Sequence, residues 1–334
     1  MKLFLRSPNW IGDCVMSLSA IRAVKFSNPK LQIVLITKKH LISVYKNISE
    51  IDSILILPEG KLFQNFFRTI LLLKKEKIKD GILFTNSFQS ALILRLAGVR
   101  NLTGYSRDMR GWLLKKKEKF TGKSIHQIQS YMNLVNLYFD RKVKGFFKNS
   151  LIVNEDETKK AQGILKSNGI ELNKRIIGIS PFTAYGKAKE WGQGRFIDLI
   201  NRIFMSEKNV SILIFGSAKD EETLQIIKNS VKKEVVVIAG SYSLREAITV
   251  ISICDIFIGN DSGLLHVADG LGISSIGLFG PTSPKTTSPI GKKTETVYKS
   301  VKCSPCTFRE CPTDHKCMAN IKVEEIYKKI KLYL

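Results

Sequence analysis

Short apolar runs alternate with amphipathic stretches along the whole chain. In the first half, runs at residues 2–6, 32–37, 53–57 and 81–85 are typical of buried strands. Apolar positions roughly three residues apart predict helices at 13–26, 41–46, 62–75, 90–96 and 126–139. This alternation predicts a parallel sheet that is covered by helices on both faces.

The same pattern restarts in the second half, where a helix predicted at 155–167 ends at Asn168-Gly169. Strands are then predicted at 176–180, 210–215, 235–239, 256–259 and 275–279, and helices at 194–205, 219–229, 244–253 and 262–271. We therefore expect an α/β chain of two Rossmann-like domains, 1–154 and 155–320, with a ligand-binding cleft between them. A C-terminal helix within 321–334 is expected to pack back across the joint.

The charge of the chain points to an anionic partner. Lys and Arg number 53 against 29 Asp and Glu, which gives a net charge of +24. Such an excess favours nucleic acid, an acidic membrane surface or a phosphorylated substrate, although a Lys-rich composition would also produce it. The densest basic stretch, within residues 104–123, is predicted to be irregular.

Neither a signal peptide nor a membrane-spanning helix is predicted. The N-terminal apolar stretch is broken at Arg6, no small-residue cleavage site follows it, and no apolar run reaches 18 residues. The expected location is therefore the cytoplasm, with contact to a membrane surface left open.

Two common nucleotide-binding motifs are absent. No GxGxxG follows the first strand, and the Gly-Lys-Ser at 122–124 has Lys117 where a P-loop needs its first glycine. The sequence also lacks a helix-turn-helix and an RNP motif, so a basic nucleic-acid- or membrane-binding protein is only a distant alternative.

Candidate chemistry begins in the loop after the first strand, Ser7-Pro8-Asn9-Trp10-Ile11-Gly12-Asp13. Gly12 permits tight backbone geometry. Asp13 stands at the start of a helix, where a carboxylate either caps the helix or acts as a general base on an acceptor hydroxyl.

Three loops of the second half carry candidate anion-binding residues. Lys189 is placed to stabilise a departing nucleoside diphosphate, and Lys187 is the weaker candidate. The turn that begins with Gly216-Ser217 continues to Asp220 and Glu221. Its backbone N–H groups could bind the phosphates of a nucleotide, and one of its acidic side chains could bind the ribose hydroxyls.

The third of these loops is Gly259-Asn260-Asp261-Ser262-Gly263-Leu264-Leu265-His266. Asp261 and Ser262 can cap a helix whose N-terminus faces phosphate, and His266 lies one helical turn after Ser262.

This last loop, followed by Leu-Phe-Gly-Pro-Thr at 278–282, resembles the ADP-heptose–lipopolysaccharide heptosyltransferases of glycosyltransferase family 9. The N-terminal Trp-Ile-Gly-Asp and the run Tyr-Gly-Lys-Ala-Lys-Glu-Trp at 185–191 are similar to that family as well. Phe-Gly-Ser-Ala-Lys-Asp at 215–220 and His126-Gln127 look closest to its heptosyltransferase II branch.

The resemblance implies a GT-B fold and an inverting, single-displacement transfer of heptose from ADP-heptose to the lipopolysaccharide inner core. The likeness to the heptosyltransferase II branch implies that the transferred heptose is the second one. No cofactor and no obligatory metal are implied. The acceptor, of the Kdo-lipid A type, would be met at the cytoplasmic face of the inner membrane. Heptosyltransferase I, or a relative that uses another ADP-sugar, is the alternative.

By position, Asp13 matches the family's base and Lys189 its donor-phosphate lysine. The resemblance implies a donor site of Thr183, Lys189, Gly216, Ser217, Asp220 or Glu221, Asp261, Ser262, Gly263 and His266. Acceptor contacts are expected from Gly12, Asp13, Arg107, Arg110 and Lys115.

Four of the six cysteines lie close together, at Cys303, Cys306, Cys311 and Cys317. Four thiolates could bind one structural Zn²⁺. Free or redox-active thiols and, less readily in a reducing cytoplasm, disulfides are the alternatives.

Overall fold

A computed structural model describes residues 1–60, 62–119, 125–145, 147–306 and 308–334. The chain divides into two compact units, Met1–Leu151 and Ile152–Leu334. The parallel sheets that the alternating pattern predicts are confirmed, one in each unit.

The first unit has the strand order β3-β2-β1-β4-β5-β6. Its elements are β1 (Lys2–Arg6), α1 (Ile11–Ser27), β2 (Gln32–Thr37), α2 (Ile42–Tyr45), β3 (Ser53–Ile56), α3 (Leu62–Lys75), β4 (Asp80–Leu83), α4 (Phe88–Leu96), β5 (Asn101–Tyr105), β6 (Lys116–Glu118) and α5 (Gln127–Phe139). Helix α1 is buried along most of its length and packs against α5, which explains why its apolar residues are not confined to one stripe.

The second unit has the order β12-β11-β10-β7-β8-β9. Its elements are α6 (Glu155–Ser167), β7 (Arg175–Ser180), α7 (Gln193–Ser206), β8 (Val210–Phe215), α8 (Glu221–Ser230), β9 (Val236–Ile238), α9 (Leu244–Ile251), β10 (Ile256–Asn260), α10 (Gly263–Gly270), β11 (Ser274–Phe279), α11 (Pro284–Thr287), β12 (Thr294–Tyr298), α12 (Lys316–Ala319) and α13 (Val323–Ile330).

Both sheets reverse their strand order next to the first strand of the unit, between β1 and β4 and between β7 and β10. In open α/β sheets, ligands bind at the carboxyl ends of the strands beside such a reversal. The loops after β1, β7 and β10 therefore lie where each unit is best suited to bind a ligand.

The prediction that residues 104–123 are irregular is wrong for two parts of that segment. Gly104 and Tyr105 end β5, and Lys116–Glu118 forms β6 at the edge of the sheet. A Lys-rich sequence is common at a sheet edge, because charge there prevents pairing with other chains, and it hides the strand from an apolar pattern. Residues 120–124, which include Lys123 and the Gly-Lys-Ser, lie outside the described residues.

The C-terminal helix α13 packs against α7, and its Ile326, Tyr327 and Ile330 are part of the apolar core of the second unit. None of the described helices is long and apolar enough to cross a membrane.

Candidate active site

Asp13 lies in the first turn of α1, beside the buried Gly12. The N-cap residue is Trp10 and makes no side-chain capping bond, so Asp13 benefits from the helix dipole without being the cap. The Asp13 carboxylate is half-buried and its Oδ1 accepts a hydrogen bond of 3.3 Å from the hydroxyl of Tyr131 on α5.

Tyr131 is buried, and burial, followed by the charge of Asp13, raises the pKa of its phenol well above the ordinary value. The hydroxyl therefore remains a proton donor to Asp13 at neutral pH. A half-buried carboxylate held in this way is suited to accept a proton from a ligand hydroxyl. Tyr131 could not be singled out from the sequence, because a tyrosine on an amphipathic helix usually packs in the apolar core.

The three predicted acceptor residues of the basic segment differ in accessibility. The Arg110 side chain is fully buried, and its guanidinium donates to the carbonyl oxygens of Tyr105 at 2.9 Å and Ser87 at 3.3 Å. Burial lowers its pKa to about 10. Arg110 thus stabilises the loop after β4 through buried hydrogen bonds. Arg107 and Lys115, in contrast, are exposed.

In the second unit, adjacent strands bring together the loops after β7 and β10. Lys189 Nζ donates to Asp261 Oδ2 at 2.5 Å, and the Thr282 hydroxyl, from the loop after β11, donates to the same oxygen at 2.7 Å. The side chains of Lys189 and Asp261 are only 13% and 5% exposed, so solvent screens this ion pair weakly. The Lys189 ammonium also lies 4.9 Å from the centre of the Tyr185 ring.

Asn260 fixes the distance between these two loops. Its Nδ2 donates to the Pro181 carbonyl at 2.6 Å, and its Oδ1 accepts from the Trp191 backbone N–H at 3.0 Å. Trp191 is fully buried and its indole N–H donates to the Ile321 carbonyl at 2.9 Å. These buried hydrogen bonds hold the loops that carry Lys189 and Asp261 in a fixed position.

The start of α10 completes this cluster. Ser262 is the N-cap residue but makes no side-chain capping bond, and its buried Oγ has no hydrogen-bond partner among the described residues. The predicted capping by Asp261 and Ser262 is thus wrong, because Asp261 binds Lys189 and Thr282 instead. Gly263 begins the helix, and His266 Nε2 lies 4.0 Å from Asp261 Oδ1, one turn further on.

The turn after β8 is held by its own side chains. Asp220 Oδ2 accepts from the backbone N–H of Ser217 at 2.8 Å and from its hydroxyl at 2.6 Å. Glu221 is exposed and lies beside Gly240, and Gly216 packs closely on Leu224. Of the two acids, Glu221 has the more available carboxylate.

The loop that carries Lys189 has little freedom. The Thr183 hydroxyl donates to the Gly186 carbonyl at 2.8 Å, so this predicted donor contact is used within the loop. Gly186 has φ +154°, and a Cβ there would lie 2.4 Å from the Arg309 carbonyl oxygen. Glu190, which the sequence did not single out, accepts from the Thr183 N–H at 3.3 Å, and burial raises the pKa of its carboxyl.

The structure does not support the four-cysteine zinc site. All six cysteines, which lie within the described ranges, are free. No group of three or more His, Cys, Asp and Glu side chains in the described part of the chain is arranged to hold a metal ion. Cys317 is buried in the apolar core, whereas Cys303 is exposed to solvent, so these two thiols lie in different environments.

Comparison with known proteins gives consistent matches. The model of glycosyltransferase family 9 (heptosyltransferase) matches residues 67–317. A lipooligosaccharide heptosyltransferase 2 of Campylobacter jejuni is 28% identical, over 99% of this chain and 98% of the relative. A lipopolysaccharide heptosyltransferase 2 of Salmonella typhimurium is 26% identical, over 89% of this chain and 88% of the relative.

The structure of ADP-heptose lipopolysaccharide heptosyltransferase II from Escherichia coli matches with a TM-score of 0.86 at 22% identity, over 100% of this chain and 98% of the other. The predicted GT-B fold class is confirmed by this likeness.

Proposed function

The chain belongs to glycosyltransferase family 9, the heptosyltransferases, and is a glycosyltransferase; we propose that it transfers L-glycero-D-manno-heptose from ADP-heptose to the inner core of lipopolysaccharide. The relatives named heptosyltransferase 2 from Campylobacter jejuni and Salmonella typhimurium, aligned over 98% and 88% of their length, support the addition of the second heptose.

The observation that carries this proposal is the cluster of Lys189, Asp261, Thr282 and Ser262 at the strand-order reversal of the second unit. A cation of fixed position, a hydroxyl without a partner in the described residues and the N–H groups at the start of α10 together suit a diphosphate. Asp261 holds the Lys189 ammonium in place, and Glu221 is the proposed ribose contact.

In the proposed reaction, an acceptor hydroxyl oxygen attacks the anomeric carbon from the side opposite the diphosphate. Asp13 takes the hydroxyl proton as the glycosidic C–O bond forms. The bond between the anomeric carbon and the β-phosphate oxygen breaks, and its electron pair leaves with ADP. Lys189 stabilises the negative charge that develops on this leaving group.

The donor sugar is tested by comparing ADP-heptose with ADP-glucose as donors to Kdo-lipid A that carries one heptose. We expect kcat/KM for ADP release to be at least about tenfold higher with ADP-heptose, because a pocket that hydrogen-bonds the extra hydroxyl group discriminates strongly against a sugar that lacks it. Equal or faster release from ADP-glucose would assign this chain to a transferase of another ADP-sugar.

Tyr131 is proposed to position the base. Tyr131→Phe should lower kcat about tenfold with little change in either KM, since a hydrogen bond to a charged group contributes about 1.5 kcal/mol. Tyr138→Phe, on the same helix, is the control. Steady-state kinetics check the effect; a Tyr131→Phe enzyme that turns over as fast as Tyr138→Phe would remove the positioning role.

Helix α3 is the proposed contact with an anionic membrane surface. Phe63, Phe67 and Leu71 recur every four residues and are 76%, 50% and 62% exposed, so they form one apolar ridge on the helix. Arg68, Lys74 and Lys75 on the same helix are exposed as well. An apolar ridge flanked by cations is typical of helices that lie in the headgroup region of anionic bilayers.

Replacement of Phe63, Phe67 and Leu71 by Ser should weaken sedimentation with vesicles that contain phosphatidylglycerol by at least about tenfold, because burial of one such side chain contributes about 1.5 kcal/mol or more. The control replaces the exposed Met205 and Leu332 by Ser. Vesicle binding that falls equally in both variants, or in neither, would contradict the role of α3.

A further inference from the structure

A cavity of about 530 Å³ opens at the carboxyl edge of the sheet in the first unit. The ends of β1 and β2 contribute Arg6 and Ile36, helix α3 contributes Phe66 and Leu73, and α4 contributes Ile93. The volume is in the range of sites that bind sugar-sized ligands. We call this space the β1–β2 cavity.

The lining of the β1–β2 cavity combines an apolar wall with an excess of positive charge. Phe66, Leu73 and Ile93 offer a surface for the C–H face of a ring. Three basic side chains line the cavity, Arg6, Lys38 and His40, against one acid, Glu59. Hydroxyl groups come from Thr69, Ser87 and Ser90. This combination suits a polyhydroxylated ligand that carries a negative charge.

Arg6 is the unusual member of the lining because its guanidinium is buried, with only 7% of the residue exposed. Its Nη1 donates to the Ser7 carbonyl at 2.6 Å and to the Ser7 hydroxyl at 3.2 Å, and its Nη2 donates to Asn9 Oδ1 at 2.8 Å. These neutral acceptors fix the position of the group without neutralising its charge.

No Asp or Glu in the described ranges forms an ion pair with Arg6, although buried charges in proteins are normally paired. Burial lowers the pKa of Arg6 to about 10, so the group still carries its charge at neutral pH. A guanidinium has five N–H donors, and the bonds of Arg6 to described residues all use Nη1 and Nη2. The Nε–H and one of the two Nη2–H groups are therefore not used by these bonds. Two N–H groups of a guanidinium match the two oxygens of a carboxylate.

We propose that the β1–β2 cavity binds the carboxylate-bearing sugar of the acceptor, with Arg6 as the partner of the carboxylate, Lys38 adding positive charge and the His40 imidazole available for hydrogen bonds to the sugar. This inference rests on the proposed function for the identity of the sugar, a Kdo residue. It assigns recognition of the acidic sugar to Arg6 at the end of β1, and not to the exposed basic segment around Lys115.

The contact between Arg6 and Asn9 connects this cavity to the proposed base. Asn9 lines the cavity and lies in the loop between β1 and α1, four residues before Asp13. Arg6 therefore holds the loop that leads to the base while it binds the acidic sugar. A bound Kdo would position the neighbouring sugar hydroxyl of the acceptor relative to that loop.

The test is a calorimetric titration of the full chain with the methyl glycoside of Kdo and with its carboxyl-reduced analogue, in which CH₂OH replaces the carboxylate. The wild-type protein should bind the acid at least about tenfold more tightly, because a charge-assisted bond contributes about 1.5 kcal/mol or more. In Arg6→Gln the two ligands should bind equally weakly, whereas Lys208→Gln, at an exposed lysine, should behave as the wild type.

This binding measurement does not require transfer, so it separates the inference from the proposed function. Equal affinity of the wild type for the acid and its reduced analogue would overturn the inference, even if Arg6→Gln failed to fold. Retained preference for the acid in a folded Arg6→Gln protein would overturn it too, as would displacement of the sugar by an equal concentration of inorganic phosphate. Selective binding of the acid without any transfer would uphold the cavity and refute the proposed reaction.

Discussion

Asp13→Asn should lower kcat by about 10²–10⁴-fold, because the amide cannot take the proton of the acceptor hydroxyl. Asparagine keeps the shape of the side chain and can still accept from Tyr131, so the KM values for donor and acceptor should change little. The measurement is the rate of ADP release at saturating concentrations of both substrates.

The control for this variant is Asp156→Asn, which makes the same substitution in the first turn of another helix, α6. Both variants lose a carboxylate that the helix dipole favours, worth about 0.5 kcal/mol at an exposed position. A large loss of kcat in Asp13→Asn alone, with similar thermal unfolding of both variants, identifies the base. An Asp13→Asn protein with more than about a tenth of the wild-type kcat would contradict the assignment.

Lys189→Met should lower kcat by about 10²–10³-fold and weaken ADP binding, since it removes the cation proposed to stabilise the leaving diphosphate. The same substitution leaves Asp261 buried without its ion-pair partner, which costs about 3 kcal/mol of stability. A lower melting temperature must therefore be separated from a loss of catalysis.

Two variants make that separation. Lys189→Arg keeps a cation beside Asp261 and should retain most of the stability, while its larger planar group should fit the diphosphate less well and reduce kcat. Lys187→Met, at the exposed lysine of the same loop, should leave kcat unchanged. If Lys187→Met loses as much activity as Lys189→Met, the assignment of the diphosphate contact to Lys189 alone is contradicted.

The sequence was sufficient for the parts of the site that depend on strand order. Lys189 and Asp261 each follow a strand that the apolar pattern predicts, and parallel strands place their carboxyl ends at one sheet edge. Their direct contact could not be predicted, because it depends on β7 and β10 being neighbours. Thr282 and Asn260 were in recognised motifs, but their partners were visible only in the structure.

Other features of the site depend on burial, which a local pattern does not reveal. Arg110 and Lys115 look equivalent in a basic segment, yet the guanidinium of Arg110 is interior and that lysine is exposed. Arg6 appeared only as a charge that interrupts an apolar run, and its burial in a cavity wall became visible only in the folded unit. Tyr131 contacts Asp13 from 118 residues further along the chain, a distance that no local pattern spans.

Transfer of heptose to the inner core is tested by measuring ADP release from ADP-heptose in the presence of Kdo-lipid A that carries one heptose or none. We expect ADP release that depends on the mono-heptosylated acceptor, with a product heavier by one heptose, and release slowed by about 10²–10⁴-fold in Asp13→Asn. Release with the heptose-free acceptor alone would assign the first heptose to this chain. No acceptor-dependent release with either lipid would contradict heptosyl transfer to the inner core.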